Sequence, residues 1–186
     1  MAEATDSGLR TIPLIDPETG DELMTSVAAE FEYEGQTFLV VTPVDEVVSI
    51  IRIEGTEEEE SLQELEIEEF PAVASAVNEA MKQWNLKVEP RGNELVLVGD
   101  IPEDLFEDCD ELEVETDDGE DRTLLILMEI DTGDTTYLVA ANMGYILYPA
   151  LDEGESARPL TTDELASMQA VFDEVYREMD KAAEED

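Results

Sequence analysis

The sequence predicts an α+β fold of two similar modules, each a mainly antiparallel β-sheet covered by one α-helix. Three observations carry that expectation. Short runs rich in β-branched and aromatic residues alternate with turn residues, as strands and hairpins do. Two segments carry apolar residues at helical spacing. The order of these elements also recurs: setting Gly20 on Gly119, 99 positions on, sets Glu30 on Glu129, Thr37 on Thr136, Leu39 on Leu138 and Val40 on Val139. Further along, Glu69 falls on Glu164 and Glu79 on Glu174, now 95 positions apart. A loop shortened by four residues between strands and helix accounts for the change.

In the first half, residues 11–15 read as a strand, and Pro17-Glu18-Thr19-Gly20 as a turn. Met24 to Tyr33 and Thr37 to Val41 read as a hairpin around Glu34-Gly35, with Pro43 as a stop. Val47 to Ile53 makes a fourth strand. The run Glu57-Glu58-Glu59-Glu60 reads as a solvated loop within 54–69, partly docked through Leu62, Leu65 and Ile67. Phe70 to Trp84 is a helix: Phe70, Val73, Val77, Met81 and Trp84 form one stripe, and Pro71 occupies the first turn.

Two short strands follow within 86–98, then an acidic connector. The second half repeats the order, with strands at 111–115, 123–130, 135–141 and 145–148, the last ended by Pro149. An acidic loop, 152–156, precedes a helix from Thr161 to about residue 181. Its start carries a capping box, Thr161 with Glu164, and its stripe is Leu165, Met168, Phe172, Tyr176 and Met179. The expected domains are therefore 9–84, a linker with two short strands at 85–107, and 108–181 as a diverged copy of the first.

Charge sets the chemistry. Asp and Glu number 51 against nine Lys and Arg, a formal net charge of −42. Such a chain does not bind nucleic-acid phosphates directly, since that needs clustered cations, and anionic lipid repels it. Self-repulsion favours a monomer. The absence of histidine removes the commonest general base and most catalytic zinc sites. Cys109, the single cysteine, allows no internal disulfide, and its acidic neighbours disfavour the thiolate. No apolar run is long enough for a membrane span. Residues 1–8 carry no signal-peptide pattern, so a cytoplasmic setting is expected.

Few residues offer chemistry. Asp117-Asp118-Gly119-Glu120-Asp121 has the composition of a calcium loop but lacks its ordered pattern, and reads as a hairpin turn. Trp84, Tyr145 and Tyr148 are candidate partner anchors, although Trp84 continues a core stripe. No catalytic, cofactor or metal residues are assigned, and no cofactor is expected.

The stretch from Glu30 to Asp45, EFEYEGQTFLVVTPVD, resembles the signature of a family of small acidic bacterial proteins, domain of unknown function 1292. The region from Ile53 to Phe70 is similar to it as well. Tyr145 to Asp152, YILYPALD, resembles domain of unknown function 3727, found beside the first in cyanobacterial and plastid proteins. The resemblance implies a cyanobacterial-type origin and supplies no activity. The function expected is a non-enzymatic interaction or assembly factor that offers acidic surfaces to a basic protein partner. The alternatives are a nucleic-acid mimic in a basic protein groove and, less in keeping with the composition, a metal-dependent carboxylate enzyme.

Overall fold

In the computed structural model, residues 10–56, 58–115, 119, 121–142 and 146–185 are described. The fold is α+β and mostly sheet, with two α-helices. Its strands are β1 (Thr11–Ile15), β2 (Glu22–Tyr33), β3 (Gln36–Pro43), β4 (Val47–Thr56), β5 (Glu59–Glu64), β6 (Lys87–Arg91), β7 (Glu94–Val98), β8 (Asp110–Glu115), β9 (Asp121–Asp131), β10 (Thr136–Asn142), β11 (Tyr148–Asp152) and β12 (Ala157–Pro159). Helix α1 (Phe70–Met81) runs into a 3₁₀ turn at Lys82–Trp84, and α2 spans Thr162–Glu184.

The chain divides into two units: unit 1 holds residues up to Val44 and from Leu147 on, and unit 2 is Asp45–Ile146. This division differs from the expected 9–84, 85–107 and 108–181. The cause is the fate of two strands. β4 follows β3 in sequence but pairs with β10 in unit 2. β11 follows β10 but pairs with β3 in unit 1. The expected linker is also part of unit 2, because β6 pairs with β7 and β7 extends the sheet from β4 at Val47↔Val96.

Unit 1 is a closed barrel in the order β1-β12-β11-β3-β2. Four consecutive residues of β3 are buried, and alternation sends them to two cores. Leu39 and Val41 join Ile12, Leu14, Ala150 and Ala157 inside the barrel. Phe38 and Val40 join Met168 and Phe172 of α2 outside it.

Unit 2 is a seven-stranded sheet in the order β6-β7-β4-β10-β9-β8, with β5 also paired to β4. Helix α1 buries Phe70, Val73, Val77 and Met81 in a core with Val48, Ile50, Val139 and Ala141. A second layer holds Ile51, Leu124, Leu138 and Ala140, with Leu112 and Val114 packed against it.

Corresponding positions of the two units keep the same registers. β2 skips Ala28 opposite Val40 and Val41, and β9 skips Leu127, 99 positions later, opposite Val139 and Ala140. A bulge adds one unpaired residue to one strand, so its position is a specific feature of a hairpin. In the exchanged strands, Ser49↔Ala140, Ile50↔Val139 and Ile51↔Leu138 match Tyr148↔Val41, Pro149↔Val40 and Ala150↔Leu39, each partner shifted by 99. On the outer strands the shift becomes 95: Gln63↔Arg52 and Leu62↔Ile53 match Arg158↔Leu151 and Ala157↔Asp152. Gly20 and Gly119 both take positive φ, 78° and 82°, which favours glycine.

Several local expectations change. Part of the segment expected as a loop forms β5, which takes in Glu59 and Glu60 of the acid run; all six of its side chains are exposed, so its carboxylates stay solvated while its backbone pairs with β4. Leu65 is buried and Ile67 packs against the α1 core. Pro149 does not end a strand at 145–148 but sits second in β11, where its missing N–H removes at most one ladder bond; Tyr145 lies outside the described residues. β12 falls between the acidic loop and the helix, where no strand is read from the sequence.

The capping box of α2 is present: Thr161 Oγ1 accepts from the Glu164 N–H at 3.2 Å, and Glu164 Oε2 accepts from the Thr161 N–H at 2.9 Å. In the turn before α1, Glu69 Oε2 accepts from the Glu66 N–H at 3.0 Å, at positions 95 residues before Glu164 and Thr161. Arg158 adds a two-pronged contact to Glu164, at 2.7 and 2.8 Å, which with the cap holds the Glu164 carboxyl down at about 2. A carboxyl with a folded pKa below its ordinary 4.5 stabilises above that value and loses its contribution as pH falls toward 2. Glu164→Gln should therefore cost about 1 kcal/mol at pH 7, the scale of a partly exposed charge-assisted pair. The difference from wild type should shrink between about pH 4.5 and 2 in urea melts; an unchanged difference there would remove the ion pair as its cause.

Candidate functional site

The barrel of unit 1 closes where β1 meets β12 in parallel, at Leu14↔Ala157. Matching β8 to β1 and β5 to β12 by their registers places Val114 at the position of Leu14 and Leu62 at that of Ala157. In unit 2 these strands do not pair. Among the described residues, β8 pairs only with β9, and β5 only with β4. A cleft of about 470 Å³ lies there instead, lined by Ile51, Leu62, Gln63, Glu64, Val114, Glu115 and Arg122.

Opening the seam exposes the inner apolar layer. Ile12, Leu14 and Ala157 are buried in unit 1, whereas Leu112 and Val114 are half-buried and Leu62 is 43% exposed. Among the described residues, one polar contact spans the gap: Arg122 of β9 donates to Glu64 of β5 at 3.0 Å. The Nε of Arg122 is buried without a hydrogen-bond partner among the described residues. Around the cleft, β5 carries Glu59, Glu60 and Glu64, and β8 carries Asp110, Glu111, Glu113 and Glu115. The seam is thus a slot in which Ile51, Leu62 and Val114 form an apolar patch beside the Arg122–Glu64 pair, with acidic rims. Strand patterns in the sequence do not reveal it, because Leu62 and Val114 look like ordinary strand residues; the only signal is the larger, more acidic character of β5 and β8 beside their counterparts.

The sequence-nominated residues lie elsewhere. Cys109 Sγ donates to the Leu105 carbonyl at 3.0 Å, and its pKa is raised, first by burial and then by Asp108 and Asp110. Trp84 packs against the α1 core. Tyr148 is half-buried against the barrel interior of unit 1. Of the calcium-like segment 117–121, only Gly119 and Asp121 are among the described residues, and no cluster of potential metal ligands occurs among the described ones. No helix among them is long and apolar enough to cross a membrane. Unit 1 has a shallower groove of about 400 Å³ along α2, between Pro149, Leu165, Gln169 and Tyr176.

Residues 18–82 match the family described as a protein of unknown function, DUF1292. The match covers the segment in which the first resemblance was read. It contributes β2 and β3 to unit 1 and β4, β5 and α1 to unit 2. No curated protein and no solved structure shows a significant match to the chain.

Proposed function

We propose that the protein is a non-enzymatic interaction or assembly factor that acts as a monomer and presents acidic surfaces to a basic protein partner. The observation that carries this is the mismatch between acids and cations. Six of the nine Lys and Arg residues, namely Arg10, Arg52, Lys82, Arg91, Arg122 and Arg158, already sit in ion pairs within their own unit. Against 51 acids, the chain cannot neutralise its own surface. A basic partner relieves that repulsion and is drawn in by it. Affinity capture from the native cell tests the reading: partners should bind at low salt and be released at moderate salt, and recovery of none under either condition counts against it.

We also infer that the chain is a duplication whose halves exchange strands β4 and β11. The equal registers support this, as do the equal bulges and the family match, which straddles both units. The resemblance of residues 145–152 to domain of unknown function 3727, and with it the cyanobacterial type, belongs to the same reading of the second half as a diverged copy.

Unrelieved repulsion also predicts a salt response. The melting temperature should rise between about 10 and 150 mM salt, as the screening length falls from roughly 30 to 8 Å. Calorimetry showing a flat or falling trend would mean that the carboxylates are spaced too widely to repel.

A further inference from the structure

We propose that the open seam between β5 and β8 of unit 2 receives an extended basic strand from a partner protein. This rests on the acidic-interaction reading and gives it a place. Four successive antiparallel pairings, β5 to β4, β4 to β10, β10 to β9 and β9 to β8, leave β5 and β8 running in the same sense. Unit 1 has the same parity and closes its barrel directly, by a single parallel bridge. In unit 2 the corresponding strands stay apart, leaving two edges unpaired among the described residues and facing one cleft.

A guest strand antiparallel to both edges completes the barrel with two antiparallel ladders. Sheet edges are templates for such additions, in which main-chain hydrogen bonds give affinity and alternate side chains give specificity. The chemistry of the guest follows from the two sides of the seam. Side chains pointing inward meet Leu62, Val114 and Ile51, so they are apolar except beside the Arg122–Glu64 pair on the same face. Those pointing outward meet rims carrying Glu59, Glu111, Glu113 and Glu115, so they are Lys or Arg. The preferred guest is therefore a short segment alternating basic and β-branched residues. The Arg122–Glu64 pair lies across the seam, and the guest must accommodate or displace it.

The test uses the full chain and a fluorescent nonapeptide of alternating Lys and Val, with a second peptide N-methylated at alternate residues. Two charge reversals are compared: Glu113→Lys with Glu115→Lys at the seam, and Glu174→Lys with Glu178→Lys on α2. The expected result is binding by anisotropy that N-methylation weakens at least tenfold. The seam reversal should weaken it far more than the α2 reversal. In the wild-type chain, amide exchange should slow within 59–64 and 110–115 when the unmodified peptide binds, a readout that does not depend on either variant folding. Binding that ignores N-methylation and falls equally with both reversals overturns the seam and leaves the acidic reading standing. Absence of binding to either peptide at low salt overturns both. Slowed exchange of the same amides with rising protein concentration alone assigns the seam to a second copy of the chain and overturns the partner strand.

Discussion

Phe172→Ala is expected to lower the stability of unit 1 by about 3–5 kcal/mol, the range for truncating a buried phenylalanine. Phe172 is 3% exposed at the centre of the contact between α2 and the barrel. Its ring meets Phe31 edge-on at 5.2 Å and Phe38 at 6.3 Å, and Tyr176 lies 6.2 Å away. Edge-to-face pairs add to the gain from area alone. The surrounding strands are tied into a closed barrel, so they collapse poorly onto the space left behind. Val77 occupies the matching place in α1, 95 positions earlier, and is fully buried. Because it is smaller and has no ring partners, Val77→Ala should cost less, about 2 kcal/mol. Urea melts followed by circular dichroism supply both values. A loss below 1 kcal/mol for Phe172→Ala would mean that α2 does not hold the barrel.

Much of this fold can be read from the chain because its signals are local. Both helix stripes reach the cores through Val73, Val77, Met168 and Phe172. The capping box at Thr161 forms as its residue types require. β1 spans the expected residues, and the β2–β3 hairpin turns at Glu34-Gly35. The failures have a different cause. β5 is hidden because four adjacent carboxylates look like a loop, yet an edge strand with every side chain in water accepts the last two of them, Glu59 and Glu60. The destination of β4 and β11 was hidden more deeply. Corresponding strands of the two halves present equivalent apolar faces in the same register, so pairing within a half and pairing across halves satisfy the same pattern. No local residue chooses between them. The seam follows the same logic: its apolar residues match those that close unit 1, and only the pairing of whole strands separates a closed barrel from an open one.

That ambiguity makes a fragment the sharpest test of the duplication. Residues 10–85 hold a counterpart of every element of unit 1: β1, β2 and β3 themselves, β4 in place of β11, β5 in place of β12, and α1 in place of α2. Alone, this fragment has no β10 for β4 to pair with. β3 then offers the vacant edge, and the register is set in advance by the unit 1 pairing of β11. Val41 should face Ser49, Val40 should face Ile50, and Leu39 should face Ile51. Helix α1 should cover Phe38 and Val40 as α2 does, through Val73 and Val77 in place of Met168 and Phe172. Strand exchange is a low-cost route to dimers, so the expected species at high concentration is a dimer in which each copy lends β4 to the other. A monomer with β4 folded back on its own β3 carries the same register and the same support for duplication. Cross-strand amide contacts at the three pairs are the deciding measurement. A folded fragment that lacks them, or a fragment that stays unfolded in either form, would mean that the equal registers of the intact chain do not reflect two self-sufficient copies.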